Sequence, residues 1–170
     1  MTKLKPIVIK QGDYLTKLAH RQGFSAARVW DDPKNAELKE LRGEGDFLKP
    51  GDVLYVPDEP PPKQPFDEET DNAFKASVPK VPLSVTLAID GETLADEPYQ
   101  LEGIGDDSER TTDGDGIASF EVDVHTSEVT IVLPKRDERV RLMIGHLDPQ
   151  DEPSGARMRL KHLGYDDSTV

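Results

Sequence analysis

The chain contains no cysteine, which excludes disulfide frameworks, thiolate zinc sites and cysteine nucleophiles. No run of about 18 apolar residues exists to span a bilayer. The N-terminus, MTKLKPIVIKQGD, is basic but lacks the apolar stretch of a signal peptide. These absences lead to the expectation of a soluble, cytoplasmic protein that leaves the cell only by a route needing no signal peptide. Positive charge is scarce beyond residue 58. Residues 1–58 carry 10 Lys+Arg and 9 Asp+Glu, whereas the remaining 112 carry 11 and 25. So acidic a second part repels phosphate backbones and anionic lipid surfaces, so neither nucleic acid nor a membrane is an expected partner.

What is present is enough for one ordinary domain or two small ones: 170 residues, 35% hydrophobic and 32% charged. The first unit, 1–58, reads as strand, helix, helix, strand. IVIK (7–10) is a β-branched run. Tyr14, Leu15, Leu18 and Ala19 then share one helix face, with Asp13 as the expected N-cap and Gly23 as a left-handed stop. Ser25 caps a second helix through Trp30, which reads as core rather than as a stacking platform. Pro33 and Asn35 interrupt that helix, and AELKELRG (36–43) offers a further turn. LKPGDVLYVP closes the unit with a Pro-Gly turn and a strand from Val53 to Val56.

Residues 59–77 read as a Pro-rich acidic linker. Residues 78–147 look all-β: LSVTLAID, PYQLEGI, IASFEVD, EVTIVLP and RVRLMIG are strand-like runs between Gly, Pro and Asp clusters. Their spacing indicates a small sandwich-like domain. Residues 148–170 offer one helix around Ala156, Met158, Leu160 and Leu163. The fold class expected is therefore α+β.

Sites for chemistry are sparse. Asp113 and Asp115 in TTDGDGIASFEV suggest calcium, but an EF-hand register beginning at Asp113 would put Val124 where a glutamate must stand. Asp-Gly-Asp-Gly is more simply a turn. His20, His125, His146 and His162 are scattered without metal-ligand spacing, and no nucleophile elbow or phosphate-cradling glycine loop occurs. No metal, no cofactor and no catalytic residue is assigned, so the protein reads as noncatalytic.

Two motifs in order, VIKQGDYLTKLAHRQGF and FLKPGDVLYVP, resemble the LysM family of carbohydrate-binding modules. The resemblance covers about a third of the chain. Tyr14 stands where the family usually carries a hydroxyl residue, and the segment between the second helix and the second strand is lengthened. The resemblance implies a βααβ fold that recognises N-acetylglucosamine chains of peptidoglycan or chitin. By position, Gly12, Asp13, Tyr14 and Leu15 would form one wall of the groove, and Gly45, Asp46, Phe47 and Leu48 the other. A second resemblance lies in RLMIGHLDPQDEPSGARMRLKHLGYD, which is similar to the junction leading into a peptidoglycan-binding type 1 helical domain. Arg157, Leu160, Leu163, Gly164 and Tyr165 match it. The run stops where further helices would begin, so the chain reads as the N-terminal part of something longer. This order of segments also resembles proteins accompanying type VI secretion and related contractile injection systems.

The expected function is thus a peptidoglycan-binding or delivery module of type VI cargo. The alternative is a structural adaptor whose LysM-like fold touches a spike, baseplate or toxin partner instead of sugar.

Overall fold

The structure, a computed structural model, describes residues 3–59, 77–106 and 108–162. Nearly all of the expected linker lies outside these residues, as do Leu163, Gly164 and Tyr165. Helices and antiparallel strands make the chain α+β, and it divides into two compact units, Met1–Pro79 and Lys80–Val170.

In the first unit the order is β1 (Leu4–Val8), α1 (Leu15–Gln22), α2 (Ala26–Trp30), a 3-10 turn (Pro33–Asn35), α3 (Ala36–Arg42) and β2 (Val53–Pro57). β1 and β2 pair antiparallel, with Val8 opposite Val53. β1 begins before the expected IVIK run because Pro6 is compatible with it. Asp58 N donates to Lys3 O and Ile9 N to Asp52 O, so the odd-numbered residues of β1 occupy the hydrogen-bonded pairs. Pro6 therefore turns its missing N–H toward the open edge, where it costs no ladder bond. Ile9, Leu15, Leu18, Val29, Leu48, Leu54 and Val56 form the core, with Trp30 packed against it as the sequence suggested.

Such a small core is supplemented by polar clamps. The buried Asn35 amide bonds both backbone groups of Tyr55: Nδ2 donates to Tyr55 O at 2.9 Å and Oδ1 accepts from Tyr55 N at 2.8 Å. The same Nδ2 donates to Val29 O at 2.8 Å. A side chain thus completes the free edge of β2 and ties it to the end of α2. Arg42, at the end of α3, grips Asp52 through Nε and Nη2, both at 2.9 Å. The two side chains are only 4% and 10% exposed, so this pair fixes the added helix to the turn that starts β2.

The start of α1 corrects the sequence reading. Asp13 is not its N-cap. The cap residue is Tyr14, whose side chain makes no capping bond. Asp13 instead accepts from Lys10 N at 3.2 Å, closing a turn in which Gly12 has φ 82°. The capping carboxylate comes from Asp46, thirty residues on: Oδ1 accepts from Thr16 N and Oδ2 from Thr16 Oγ1, both at 2.8 Å. An exposed amide in the first helical turn accepts any carboxylate that folding brings to it, local or not. Gly23 does end α1 in the left-handed conformation, and the Ser25 hydroxyl does cap α2.

The second unit is built from β3 (Lys80–Thr86), β4 (Ala88–Ile89), β5 (Glu92–Thr93), β6 (Pro98–Glu102), β7 (Arg110–Thr111), β8 (Ile117–Asp123), β9 (Glu128–Leu133), β10 (Glu138–Met143) and α4 (Pro153–His162). One sheet has the order β10-β9-β6-β7, while β3 pairs with β8 and β4 with β5. Alternation along β8 and β9 buries Ala118, Phe120, Val122, Val129, Ile131 and Leu133. Tyr99 of the four-stranded sheet donates its hydroxyl to Ser119 O of β8 at 3.3 Å, linking two sheets. On α4, Met158 and Leu160 are exposed rather than packed, and Gly155 is buried. A Cβ at Gly155 would meet Pro149 O and Asp148 O, which explains glycine at this point of the DPQDEPSG run.

Candidate functional site

Folding brings the Tyr14–Leu15 end of the first sequence-predicted wall against Gly45 and Asp46 of the second. Leu15 N donates to Gly45 O at 3.1 Å, and Asp46 holds Thr16 as described above. Gly45 is required by this approach, since a Cβ there would lie 2.4 Å from Leu15 Cδ2 and 3.2 Å from Trp30 Cδ2. The walls therefore meet directly, and most of their side chains are turned inward. Gly12, Tyr14, Leu15, Gly45 and Leu48 are buried, and Leu15 and Leu48 belong to the core.

Two residues of the second wall remain at the surface: Asp46, engaged with Thr16, and Phe47, which is 52% exposed. The backbone beneath Phe47 is well fixed. Phe47 N donates to Glu44 O at 3.2 Å, Asp46 caps α1, and Lys49 N donates to Asp52 Oδ2 at 2.8 Å. An exposed ring on a tethered loop loses little freedom when a ligand covers it.

Tyr14 departs from its ordinary chemistry. Burial, followed by the nearby Asp46 carboxylate, pushes its phenol up to about 12. The Lys17 ammonium lies 5.6 Å from the Tyr14 ring centroid and donates to Gly12 O at 2.8 Å. Tyr14 therefore acts as a buried brace under the loop.

Gly12 and Asp13 face a different space, an open cleft of about 590 Å³ between β1 and α1. No residue of 45–48 lines it. In the second unit a cleft of about 520 Å³ lies beside β8, with Arg110, Asp106 and Lys80 among its lining. Its charged groups are already paired in part: Arg110 Nη2 donates to Asp106, whose carboxyl is held down to about 2 by Ser108 first and Arg110 after it.

The Asp113 carboxylate accepts from Asp115 N at 3.0 Å and Ile117 N at 2.8 Å, with Gly116 at φ 76°. It serves as a turn-former, as the sequence suggested. Among the described residues no cluster of three or more His, Asp or Glu side chains is arranged to hold a metal ion, and no helix is long and apolar enough to cross a membrane. Sequence reasoning missed Asn35, seen only as an interruption, and the Arg42–Asp52 clamp. The available signal for the clamp was a basic residue ending a helical run shortly before Pro-Gly-Asp. Comparison with protein-family models, with curated proteins and with solved structures gives no match.

Proposed function

We propose that the chain is a noncatalytic binding module whose first unit, a LysM-like βααβ fold with an added helix, recognises N-acetylglucosamine-containing glycan of peptidoglycan. The observation that carries this reading is Phe47, exposed on a tethered loop where the two sequence-predicted walls meet. The ring offers an apolar face to a sugar ring, and the neighbouring loop backbone offers polar groups to N-acetyl substituents. With so few contacts, a single module binds weakly and gains from being joined to others. The second unit, read as a small sandwich, serves as carrier in this proposal. The segment order supports delivery with type VI or related contractile-system cargo. Retention of the purified chain on isolated sacculi at low salt tests the reading, and failure to be retained would overturn it.

A second reading, docking to a spike or toxin protein, is favoured by one observation. Val8 and Val53 lie opposite each other in the β1–β2 register and are 61% and 43% exposed. An exposed apolar pair on a two-stranded sheet is a surface that another protein can cover. A stable complex with a spike or toxin domain, without sacculus retention, would select this reading over the first.

A further inference from the structure

The cleft between β1 and α1 combines an apolar floor with a cationic rim. Ile7 and the fully buried Leu18 contribute to the floor, and Val8 stands exposed at its edge. Lys10, Lys17 and Arg21 line the cleft against one carboxylate, Asp13. Three cations to one anion is a local excess in a unit whose overall charge is nearly balanced. The anion does not cancel it. Asp13 Oδ1 lies 3.6 Å from Arg21 Nη1, and its carboxylate is also engaged with Lys10 N. The Lys17 ammonium places one hydrogen bond on Gly12 O and has further donors to offer. The Arg21 guanidinium is 57% exposed and carries five donors.

We infer that this cleft binds the carboxylate-bearing part of an N-acetylated glycan, namely the lactyl and peptide carboxylates of a muramyl unit. The inference rests on the glycan reading above and specifies its substrate class: an acidic glycan in preference to a neutral one. A volume of about 590 Å³ falls within the range of small-molecule sites. Apolar sugar faces would lie over Ile7, whose side chain faces α1, while carboxylates meet Lys10, Lys17 and Arg21. Attraction at so exposed a rim is screened by salt, so charge should sharpen the choice of ligand more than it raises the overall affinity.

The test is a titration of the full chain with a disaccharide-peptide fragment of peptidoglycan and, in parallel, with a neutral N-acetylglucosamine oligomer. The acidic fragment should bind at least about tenfold more tightly at low salt, with the advantage shrinking as salt rises. The double variant Lys10→Gln/Arg21→Gln removes charge without adding repulsion. It should abolish the preference for the acidic fragment, with a thermal melt close to that of the wild-type chain showing that the fold is kept. Equal affinities of the wild-type chain for the two ligands would overturn the inference and leave the glycan reading standing. Binding of neither ligand would overturn both.

Discussion

At the scale of single residues, Asp46 performs a task that local sequence would give to Asp13. Both are short carboxylates next to a glycine, and either could reach an amide at the start of α1. The difference is set by chain direction. The turn closed by Asp13 N and Lys10 O folds the Asp13 carboxylate back onto Lys10 N. The neighbouring loop then delivers Asp46 to Thr16. Asp46→Ala should therefore lower stability by about 1 kcal/mol, as loss of an N-cap does, measured by denaturant titration with tyrosine and tryptophan fluorescence. Tyr14 gives a prediction with a pH signature. Burial pushes its folded phenol up to about 12, above the ordinary tyrosine value near 10. Its contribution is thus complete below pH 10 and is lost as pH rises toward 12, because the unfolded chain releases the proton first. Tyr14→Phe should flatten the alkaline fall in stability across that window, by on the order of 2 kcal/mol, in melts recorded at successive pH values. The capping partner was illegible in the sequence because it is a contact between residues thirty apart. Gly23 and Ser25 were legible because each acts on its own turn of helix.

At the scale of elements, alternation and helix spacing located the helices and the longer strands, but not the two-residue strands β5 and β7, and the run LSVTLAID, read as one strand, is divided between β3 and β4. β8 carries its inward residues at Ala118, Phe120 and Val122 as a period-two run, and α1 buries Leu15, Leu18 and Ala19 on one stripe. The displaced bounds of β1 come from pairing with β2, which extends the strand through Pro6 where propensity alone would stop it. What periodicity does not carry is how polar side chains join elements. Asn35 bonds the edge of β2 to α2, and its replacement by alanine removes the partners of both the Tyr55 N–H and the Tyr55 C=O, while Val29 O keeps its bond from Asp32 N. A loss of about 3 kcal/mol is expected for Asn35→Ala, read by thermal melt, with Asn35→Asp also destabilised because it loses the donor. Arg42→Ala strands the Asp52 carboxylate in a nearly closed site and should cost roughly 3–5 kcal/mol. Arg42→Met together with Asp52→Leu should recover part of that loss. The partial recovery would be smaller than in a simple ion pair, because Asp52 also accepts from Lys49 N.

At the scale of the whole molecule, charge and exposed apolar surface are unevenly divided. Negative charge is concentrated beyond residue 58, whereas the first unit offers Phe47 on one surface and a cation-rimmed cleft on another. Of the wall positions that the LysM resemblance pointed to, Tyr14 and Leu15 come together with Gly45 and Asp46, mostly as buried contacts, whereas Gly12 and Asp13 face the cleft between β1 and α1. Leu15, Leu48 and Tyr14 support the loops from below, and Phe47 is the large apolar side chain left facing outward. A pattern of residue types along a chain tells which loops meet. It does not tell which side chains the lengthened 30–48 segment turns inward. Glycan recognition through Phe47 is tested most directly by calorimetric titration of the full chain and of Phe47→Ala with N-acetylated peptidoglycan fragments, with thermal melts of both proteins alongside. Saturable binding by the wild-type chain is expected, weakened about tenfold or more in Phe47→Ala while the melts coincide. Equal affinities of the two proteins, or no saturable binding by either, would contradict it.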